Sequence, residues 1–127
     1  VGDRSQVLYG AKVFEYVEIG AGCIIGGEIA NWTVLGDDVT FMGAIAHTYR
    51  QPPSSSEWNT AAVPSPVVES GVVVGEKALL VGGIRVGEGA YIAAGEVVRC
   101  DVPPQSLYLK GRIVPLGRFR GFIRGRR

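Results

Sequence analysis

A six-residue repeat constrains the fold of this chain more than any other feature of its sequence. From Val68 the sequence reads VESGVV, VGEKAL, LVGGIR, VGEGAY, IAAGEV and VRCDVP, and the same frame fits earlier segments. Eleven of the twelve fifth positions are apolar, and the exception is Glu96. The twelve first positions are all apolar: Val7, Val13, Ile19, Ile25, Leu35, Phe41, Val68, Val74, Leu80, Val86, Ile92 and Val98.

A period of six residues fits neither an amphipathic helix nor a simple alternating strand. It fits a short strand followed by a corner, in which the first and fifth residues point inward. The chain has 19 glycines, and they recur at second and fourth positions, where a side chain would obstruct the corner. Stacked coils of this kind pair in parallel and bury their apolar rows on one another. We therefore predict a single all-β domain, in which the inward Glu96 needs a partner or an outward twist.

The segment from Val68 to Pro104 resembles the hexapeptide-repeat acyltransferases. Members of this family commonly end the repeat with a Gly-Ala-Gly segment, a Thr-Lys-Asp and a double proline, and IAAGEVVRCDVPP at residues 92–104 corresponds to that ending. The resemblance covers roughly residues 7–116 and implies a left-handed parallel β-helix of about four coils, with three hexads per coil. It also implies a homotrimer with active sites between neighbouring subunits, which is consistent with closed cyclic symmetry.

One long interruption separates the two parts of the repeat. The hexads stop after Ala46 and resume at Val68, and residues 47–67 hold four of the seven prolines. Loops of this length inside a compact repeat are usually functional. In the acyltransferases that the chain resembles, a histidine near such a loop commonly acts as general base, because an imidazole can take the proton of an attacking hydroxyl or amine at physiological pH. His47, the only histidine, begins this loop. We predict that it is catalytic, with a solvated loop histidine as the alternative.

The same loop offers candidates for binding the acyl acceptor. Tyr49, Arg50, Glu57 and Trp58 supply aromatic and charged groups that suit a sugar or a phosphorylated acceptor. We predict Tyr49, Arg50 and Trp58 as acceptor-binding residues. Packing at a subunit interface is the alternative, because a Trp in a polar loop usually buries itself.

On the donor side, the resemblance implies that the pantetheine arm of acetyl-CoA lies along backbone groups of the last coils. The small residues at matching positions are Gly82, Gly83, Ala93 and Ala94, although small residues also simply fit corners. The lysine that the family places near the CoA phosphates is absent. Arg99 is our candidate for supplying that charge.

Cysteine and histidine usage limits other kinds of chemistry. Cys23 falls at an inward fifth position and Cys100 at an outward third position, so we expect the two thiols not to meet. Neither has a base beside it in sequence, which argues against a cysteine nucleophile. One histidine is too few for the three-histidine metal site of β-helical carbonic anhydrases, and we expect no metal cofactor. Two cysteines are too few for a disulfide framework, which favours a reducing, cytoplasmic compartment.

Charge is divided unevenly along the chain. Residues 1–109 contain twelve acids and six bases, whereas residues 110–127 contain seven bases and no acid. We predict a β-helix domain over residues 1–109 and a basic tail over residues 110–127 that caps the last coil, since a solenoid end must be covered. Peripheral contact with an acidic membrane surface is the second interpretation of the tail. Nucleic-acid binding is the least favoured, because the body of the chain is acidic.

These observations predict an acetyl-CoA-dependent acyltransferase that acts on a hydroxyl or amine of a sugar or a nucleotide-linked amino sugar by direct attack. The resemblance implies bacterial polysaccharide or glycoconjugate synthesis as the setting. The alternative is a non-catalytic β-helix that serves as a scaffold or assembly subunit, because a fold does not fix a function. The acceptor and the choice between O- and N-acylation stay open. A segment before Val1 is also allowed for, since the only methionine is Met42.

Overall fold

A computed structural model describes residues 1–48, 54–56 and 63–119 of the chain. The regular structure in these residues consists of sixteen short strands and one 3-10 helix. Most strands have only two residues, an inward one and an outward one. In chain order they are β1 (Gln6–Val7), β2 (Lys12–Val13), β3 (Glu18–Ile19), β4 (Ile24–Ile25), β5 (Glu28–Ile29), β6 (Val34–Leu35), β7 (Thr40–Phe41), β8 (Ala44–Ala46), β9 (Val67–Val68), β10 (Val73–Val74), β11 (Leu79–Val81), β12 (Arg85–Val86), β13 (Tyr91–Ile92), β14 (Val97–Val98), β15 (Ser106–Leu109), β16 (Arg112–Pro115) and the 3-10 helix Leu116–Phe119.

The strands form three faces, because each strand pairs with the strand one coil away. The first face contains β1, β4, β7, β10, β13 and β15, and the third contains β3, β6, β9 and β12. The second face contains β2, β5, β8, β11 and β14, where the Glu28 N–H of β5 donates to the carbonyl of Gly43, 3.0 Å away, beside β8. The pairs between successive coils are parallel. The prediction of a left-handed parallel β-helix is confirmed.

The apolar rows of the hexads form the core. Ten of the twelve predicted first positions are buried, and the exceptions are Val7 and Val13, with exposed fractions of 50% and 38%. Both lie in the first coil, whose strands end their sheets. Their exposure therefore follows from having a neighbouring coil on one side only.

The structure has five coils rather than about four. Ile29, Ile45 and Val102 were assigned to fifth positions in the hexad frame, but each pairs with a first-position residue one coil away and so lies on a new face. Each follows the preceding first position by four residues instead of six. When only four residues separate two faces, the same residue is the fifth position of one hexad and the first position of the next. Counting hexads therefore gives too few coils.

Most corners place the fourth residue of the hexad in the left-handed backbone region. At five of these positions the residue is glycine with φ between 71° and 84°: Gly10, Gly22, Gly71, Gly89 and Gly95. Other residue types adopt the same conformation with φ between 54° and 70°: Arg4, Tyr16, Trp32, Asp38, Lys77 and Gln105. After β11 the left-handed residue is the third one, Gly82, because this strand is one residue longer than most. The corner after β11 is therefore irregular.

The C-terminal end of the stack carries a hairpin. Strand β15 pairs in parallel with β13, and β16 pairs antiparallel with β15. The Gly111 N–H, in the hairpin turn, donates to Glu96 Oε1 at 3.0 Å. This contact supplies the partner that the inward acid was expected to need. That the whole tail caps the last coil stays a prediction, since residues 120–127 lie outside the described residues.

The two cysteines lie in different environments. Cys23 is buried, Cys100 is exposed, and both are free thiols. This confirms that the two cysteines do not meet. Within the part of the chain that the structure describes, no helix is long and apolar enough to cross a bilayer.

Candidate active site

The long loop joins β8, which ends at Ala46, to β9, which begins at Val67, at the corner between the second and third faces, which we call the loop corner. Four other coils contribute a short turn to this corner, at residues 14–17, 30–33, 82–84 and 99–101. His47 is thus central in a column, with two turns on its N-terminal side and two on its C-terminal side. Because neighbouring coils are about 4.8 Å apart, groups in adjacent turns are within reach of one small molecule.

His47 lies against the returning end of its own loop. Its Nδ1 is 3.4 Å from the carbonyl oxygen of Pro64, and the side chain is half-buried. In the tautomer that carries a proton on Nδ1, this nitrogen donates to the carbonyl and Nε2 holds the lone pair. That is the form of imidazole that can accept a proton from a substrate.

Gly82 and Gly83 lie directly beside the base of the loop. The Gly82 N–H donates to the carbonyl of Ala46 at 2.9 Å. A Cβ on Gly82 would lie 3.1 Å from Thr48 Oγ1, and a Cβ on Gly83 would lie 3.3 Å from the Cβ of Pro64. The structure therefore brings these two predicted donor-site residues against Ala46, Thr48 and Pro64, which flank or contact His47, and it gives their small size a packing reason as well.

The other predicted donor-site residues lie elsewhere. Ala93 and Ala94 belong to the corner between the first and second faces, which we call the packed corner (residues 8–11, 26–27, 42–43, 75–78 and 93–96). Arg99 is exposed at the loop corner, one coil beyond Gly82. The five predicted donor-site residues therefore lie at two corners, one on each side of the second face, and do not form a single cluster.

Residues Tyr49, Arg50 and Trp58 fall outside the described residues, so their role in acceptor binding stays a prediction. The sequence analysis missed another aromatic pair at the same corner. The rings of Tyr16 and Trp32 are stacked, with centroids 4.5 Å apart and planes 14° apart. Both are fourth-position residues of successive coils and lie 16 residues apart in sequence. That spacing was the available signal, and it becomes visible only once the four-residue step from Ile25 to Ile29 is known.

Hydrogen bonds fix the returning end of the loop to the turn that carries Trp32. Ser65 Oγ is 2.9 Å from the carbonyl oxygens of both Asn31 and Val63, which share its proton. The Val34 N–H donates to the carbonyl of Pro66 at 3.1 Å. Because Pro64 also contacts His47, one short strap connects the histidine to the aromatic pair.

The two halves of the β-helix on either side of the loop differ in net charge. Residues 1–46, on the N-terminal side of the loop, contain six acids and two bases, a balance of −4. Residues 67–119, on its C-terminal side, contain five acids and six bases, a balance of +1. Among the described residues no three His, Cys, Asp or Glu side chains are grouped as a metal site. The arrangement is a corner with a histidine between an acidic half and a mildly basic half.

The sequence of this chain is similar to parts of several longer proteins. No family model matches the chain. The bifunctional protein GlmU of Rhizobium etli is 29% identical over 101 residues, which cover 79% of this chain and 22% of that protein. A 2,3,4,5-tetrahydropyridine-2,6-dicarboxylate N-acetyltransferase of Staphylococcus aureus is 31% identical over 87 residues, covering 68% of this chain and 24% of that protein. The chain therefore spans about a quarter of the length of these relatives.

Solved structures agree with the fold. A hexapeptide-repeat acetyltransferase of Vibrio cholerae superposes with a TM-score of 0.67 at 20% identity, covering 90% of this chain and 71% of that one. AntD, an N-acyltransferase of Bacillus cereus solved as a mutant with dTDP and coenzyme A, superposes with a TM-score of 0.55 at 12% identity, covering 98% of this chain and 90% of that one. Repeat, coil architecture and relatives agree, and the chain belongs to the hexapeptide-repeat family of left-handed parallel β-helix proteins, in which these acetyltransferases are found.

Proposed function

We propose that the chain is an acyltransferase that moves an acetyl group from acetyl-CoA to a hydroxyl or amine of a sugar or a nucleotide-linked amino sugar. The observation that carries this proposal is the position of His47, which lies against the Pro64 carbonyl beside Gly82. The relatives named as acetyltransferases support the reaction type. The structure solved with dTDP and coenzyme A supports the classes of donor and acceptor.

In the proposed reaction, the acceptor attacks the thioester carbonyl of acetyl-CoA directly. His47 takes the proton of the attacking hydroxyl or amine while the new C–O or C–N bond forms. The tetrahedral intermediate then expels the CoA thiolate, the C–S bond breaks, and the proton passes from the imidazole to the sulfur. Most of the rate enhancement comes from holding the two substrates together, and backbone N–H groups at the corners are suited to stabilise the developing oxyanion.

The donor fits best on the C-terminal side of His47. Gly82 and Gly83 carry no side chain, and the family resemblance implies that a pantetheine arm approaches backbone groups of this kind. Arg99 is exposed one coil further on, where it can meet a phosphate. The basic balance of residues 67–119 also suits an anionic donor.

A homotrimer is part of the proposal. Outward side chains on two faces are apolar and exposed in the single chain, for example Ile24 on the first face at 38% and Val97 on the second at 46%. A closed threefold ring joins two different surfaces of one subunit, so it can cover both faces at once. A mass in solution of three times 13.5 kDa is expected, and a stable monomer would contradict the trimer.

We place the enzyme in the cytoplasm, where its donor is made, and in the synthesis of a bacterial polysaccharide or glycoconjugate. This setting follows from the sugar acceptor and from the two free cysteines. An acceptor that is not a sugar would contradict this setting.

The donor half of the proposal is tested by titrating the purified chain with acetyl-CoA in a calorimeter. Saturation at one site per subunit is expected. The absence of heat from a well-folded protein would favour a non-catalytic scaffold.

The catalytic half is tested with His47→Ala. Loss of a general base lowers kcat by about 10²–10⁴-fold, and acetyl-CoA affinity should stay within about twofold of the parent because positioning groups remain. Added imidazole should restore part of the rate in His47→Ala. Full activity of the variant without imidazole would remove His47 from the mechanism while leaving the fold assignment intact.

A further inference from the structure

The basic tail, residues 110–127, has no part in the proposed acetyl transfer. Its first residues belong to the C-terminal hairpin formed by β15 and β16, with Lys110 in the turn and Arg112 on β16, and both side chains are exposed. Charged residues and prolines commonly protect an edge strand from pairing with another chain. Edge protection accounts for Arg112 and Pro115, but it does not account for the five further bases in residues 118–127.

Apolar side chains lie beside the bases of the C-terminal hairpin. Leu109 and Ile113 have exposed fractions of 37% and 40%, and each is next to a base in sequence, Lys110 or Arg112. Ile113 pairs with the buried Tyr108 on β15. Because directly opposite residues of an antiparallel pair lie on the same face of the sheet, Ile113 is on the core side of β16 and yet remains accessible. Exposed apolar side chains among bases suit the headgroup region of an anionic membrane.

The C-terminal hairpin lies at the end of the molecule that is opposite to the acidic end. In the seven-stranded sheet of the first face, β1 and β16 are the two edge strands. Residues 1–46 have a balance of −4, whereas the basic tail has seven bases and no acid. Glu96 contacts the hairpin, but it is half-buried and its Oε1 accepts the Gly111 N–H at 3.0 Å. This separation of charge turns the basic end of the molecule toward an anionic surface.

We propose that the C-terminal hairpin and the basic tail bind the anionic surface of a lipid bilayer and direct the N-terminal coils away from it. The proposal does not depend on acetyl transfer or on the acceptor. A bilayer is favoured over nucleic acid because the exposed Leu109 and Ile113 can enter the headgroup region, whereas a polyanion would also meet the acidic body of the chain. In the proposed homotrimer, equivalent residues lie in one plane perpendicular to the threefold axis. Three hairpins can therefore contact one flat surface together, which strengthens the binding.

The test is co-sedimentation of the full chain with vesicles of phosphatidylcholine alone and of equimolar phosphatidylcholine and phosphatidylglycerol. We expect binding to the anionic vesicles only, and weaker binding as added salt screens the charges. Lys110→Gln should lower the affinity for anionic vesicles by about fivefold, as expected for one base near the surface. Combining it with Arg112→Gln should lower the affinity by about twentyfold. Lys110→Arg keeps the charge and should bind like the parent.

Lys77→Gln is the matched control. Lys77 is exposed and adopts a left-handed backbone with φ of 61°, close to the 53° of Lys110, but it lies in the middle of the stack at the packed corner. It should leave the affinity for vesicles within about twofold of the parent. Both variants should melt at the temperature of the parent, so that a loss of binding reports on the surface and not on folding.

Binding to neither kind of vesicle, or equal binding to both, would overturn the proposal. Equal losses of affinity in Lys110→Gln and Lys77→Gln would do the same, because they would mean that net charge matters and the position of the base does not. Tighter binding to duplex DNA than to the anionic vesicles would also overturn it and would assign the tail to nucleic acid. None of these results bears on the titration with acetyl-CoA, which tests the proposed function separately.

Discussion

At the packed corner, backbone lies directly on backbone. A Cβ on Gly27 would overlap the carbonyl oxygen of Gly43, and a Cβ on Gly75 would lie 2.6 Å from the Ala94 nitrogen. At the loop corner, successive turns meet through side chains instead, as in the Tyr16–Trp32 stack and the bond between Ser65 and Asn31. The same repeat thus builds one corner with close backbone contacts between coils and another whose turns meet through side chains.

The difference shows where this fold has freedom to carry chemistry. Close backbone contact at the packed corner sets the spacing of the coils. The loop corner tolerates a 20-residue connection between β8 and β9 because its turns are held by replaceable side-chain contacts. We therefore expect substitutions at the packed corner to act on stability, and those at the loop corner to act on activity.

The largest effect that would test this contrast is expected for Gly27→Ala. The added methyl group would meet the Gly43 carbonyl, so the coils must separate or the backbone must shift. We expect the free energy of unfolding to fall by about 3 kcal/mol or more, measured by urea denaturation. Gly117→Ala is the control, since a Cβ there meets nothing within 4 Å and should change stability by less than about 0.5 kcal/mol. Equal changes in the free energy of unfolding would mean that the backbone at the packed corner can shift to admit a methyl group at little cost.

A smaller effect distinguishes the loop corner from a corner without a long loop. Ser65→Ala removes a hydroxyl bonded to Asn31 at the loop corner, and Ser70→Ala removes one that accepts from the Asp37 N–H at the corner between the third and first faces. Each should lower the unfolding free energy by about 1 kcal/mol. Only Ser65→Ala should also lower kcat, because its strap positions the carbonyl that contacts His47. Equal kcat values for the two variants would show that the strap has no part in catalysis.

The smallest expected effect is a gain in stability. Thr33 is fully buried at the loop corner, and its Oγ1 has no hydrogen-bond partner among the described residues. Thr33→Val keeps the shape and removes the unsatisfied hydroxyl, so the unfolding free energy should rise by about 1 kcal/mol. Thr40→Val, on the outer side of β7, should be close to neutral in the same thermal melts. A loss of stability in Thr33→Val would show that the hydroxyl serves the loop.

Much of the fold was predictable because one physical requirement repeats along the chain. Every coil must bury an apolar residue on each face, so the first positions from Ile19 to Val98 could be identified without any structure. The number of coils was wrong because Ile29, Ile45 and Val102 satisfy two hexad positions at once. The periodicity identifies which residues point inward, but it does not show whether four or six residues separate one face from the next.

The candidate site was only partly predictable. His47 stood out because it begins the segment that breaks the repeat, and Gly82 and Gly83 were predicted as small residues at positions that match the family's donor site. Ala93 and Ala94 share that small size but lie at the other corner, since composition does not say which corner a residue occupies. Tyr16 and Trp32 were missed because they sit within regular hexads, and only the three-dimensional stack makes them neighbours.

The fourth-position residues have a further consequence for engineering. Their left-handed backbone is kept whether the residue is Gly95, Lys77 or Asp38, so the fold does not dictate their chemistry. A Cβ on Gly10 or Gly95 meets nothing within 4 Å. These positions form columns of outward display sites about 4.8 Å apart along each edge. The side chains already present at Lys77, Asp38 and Gln105 can be exchanged to change this outer surface, whereas a side chain at the glycines is strained by their positive φ.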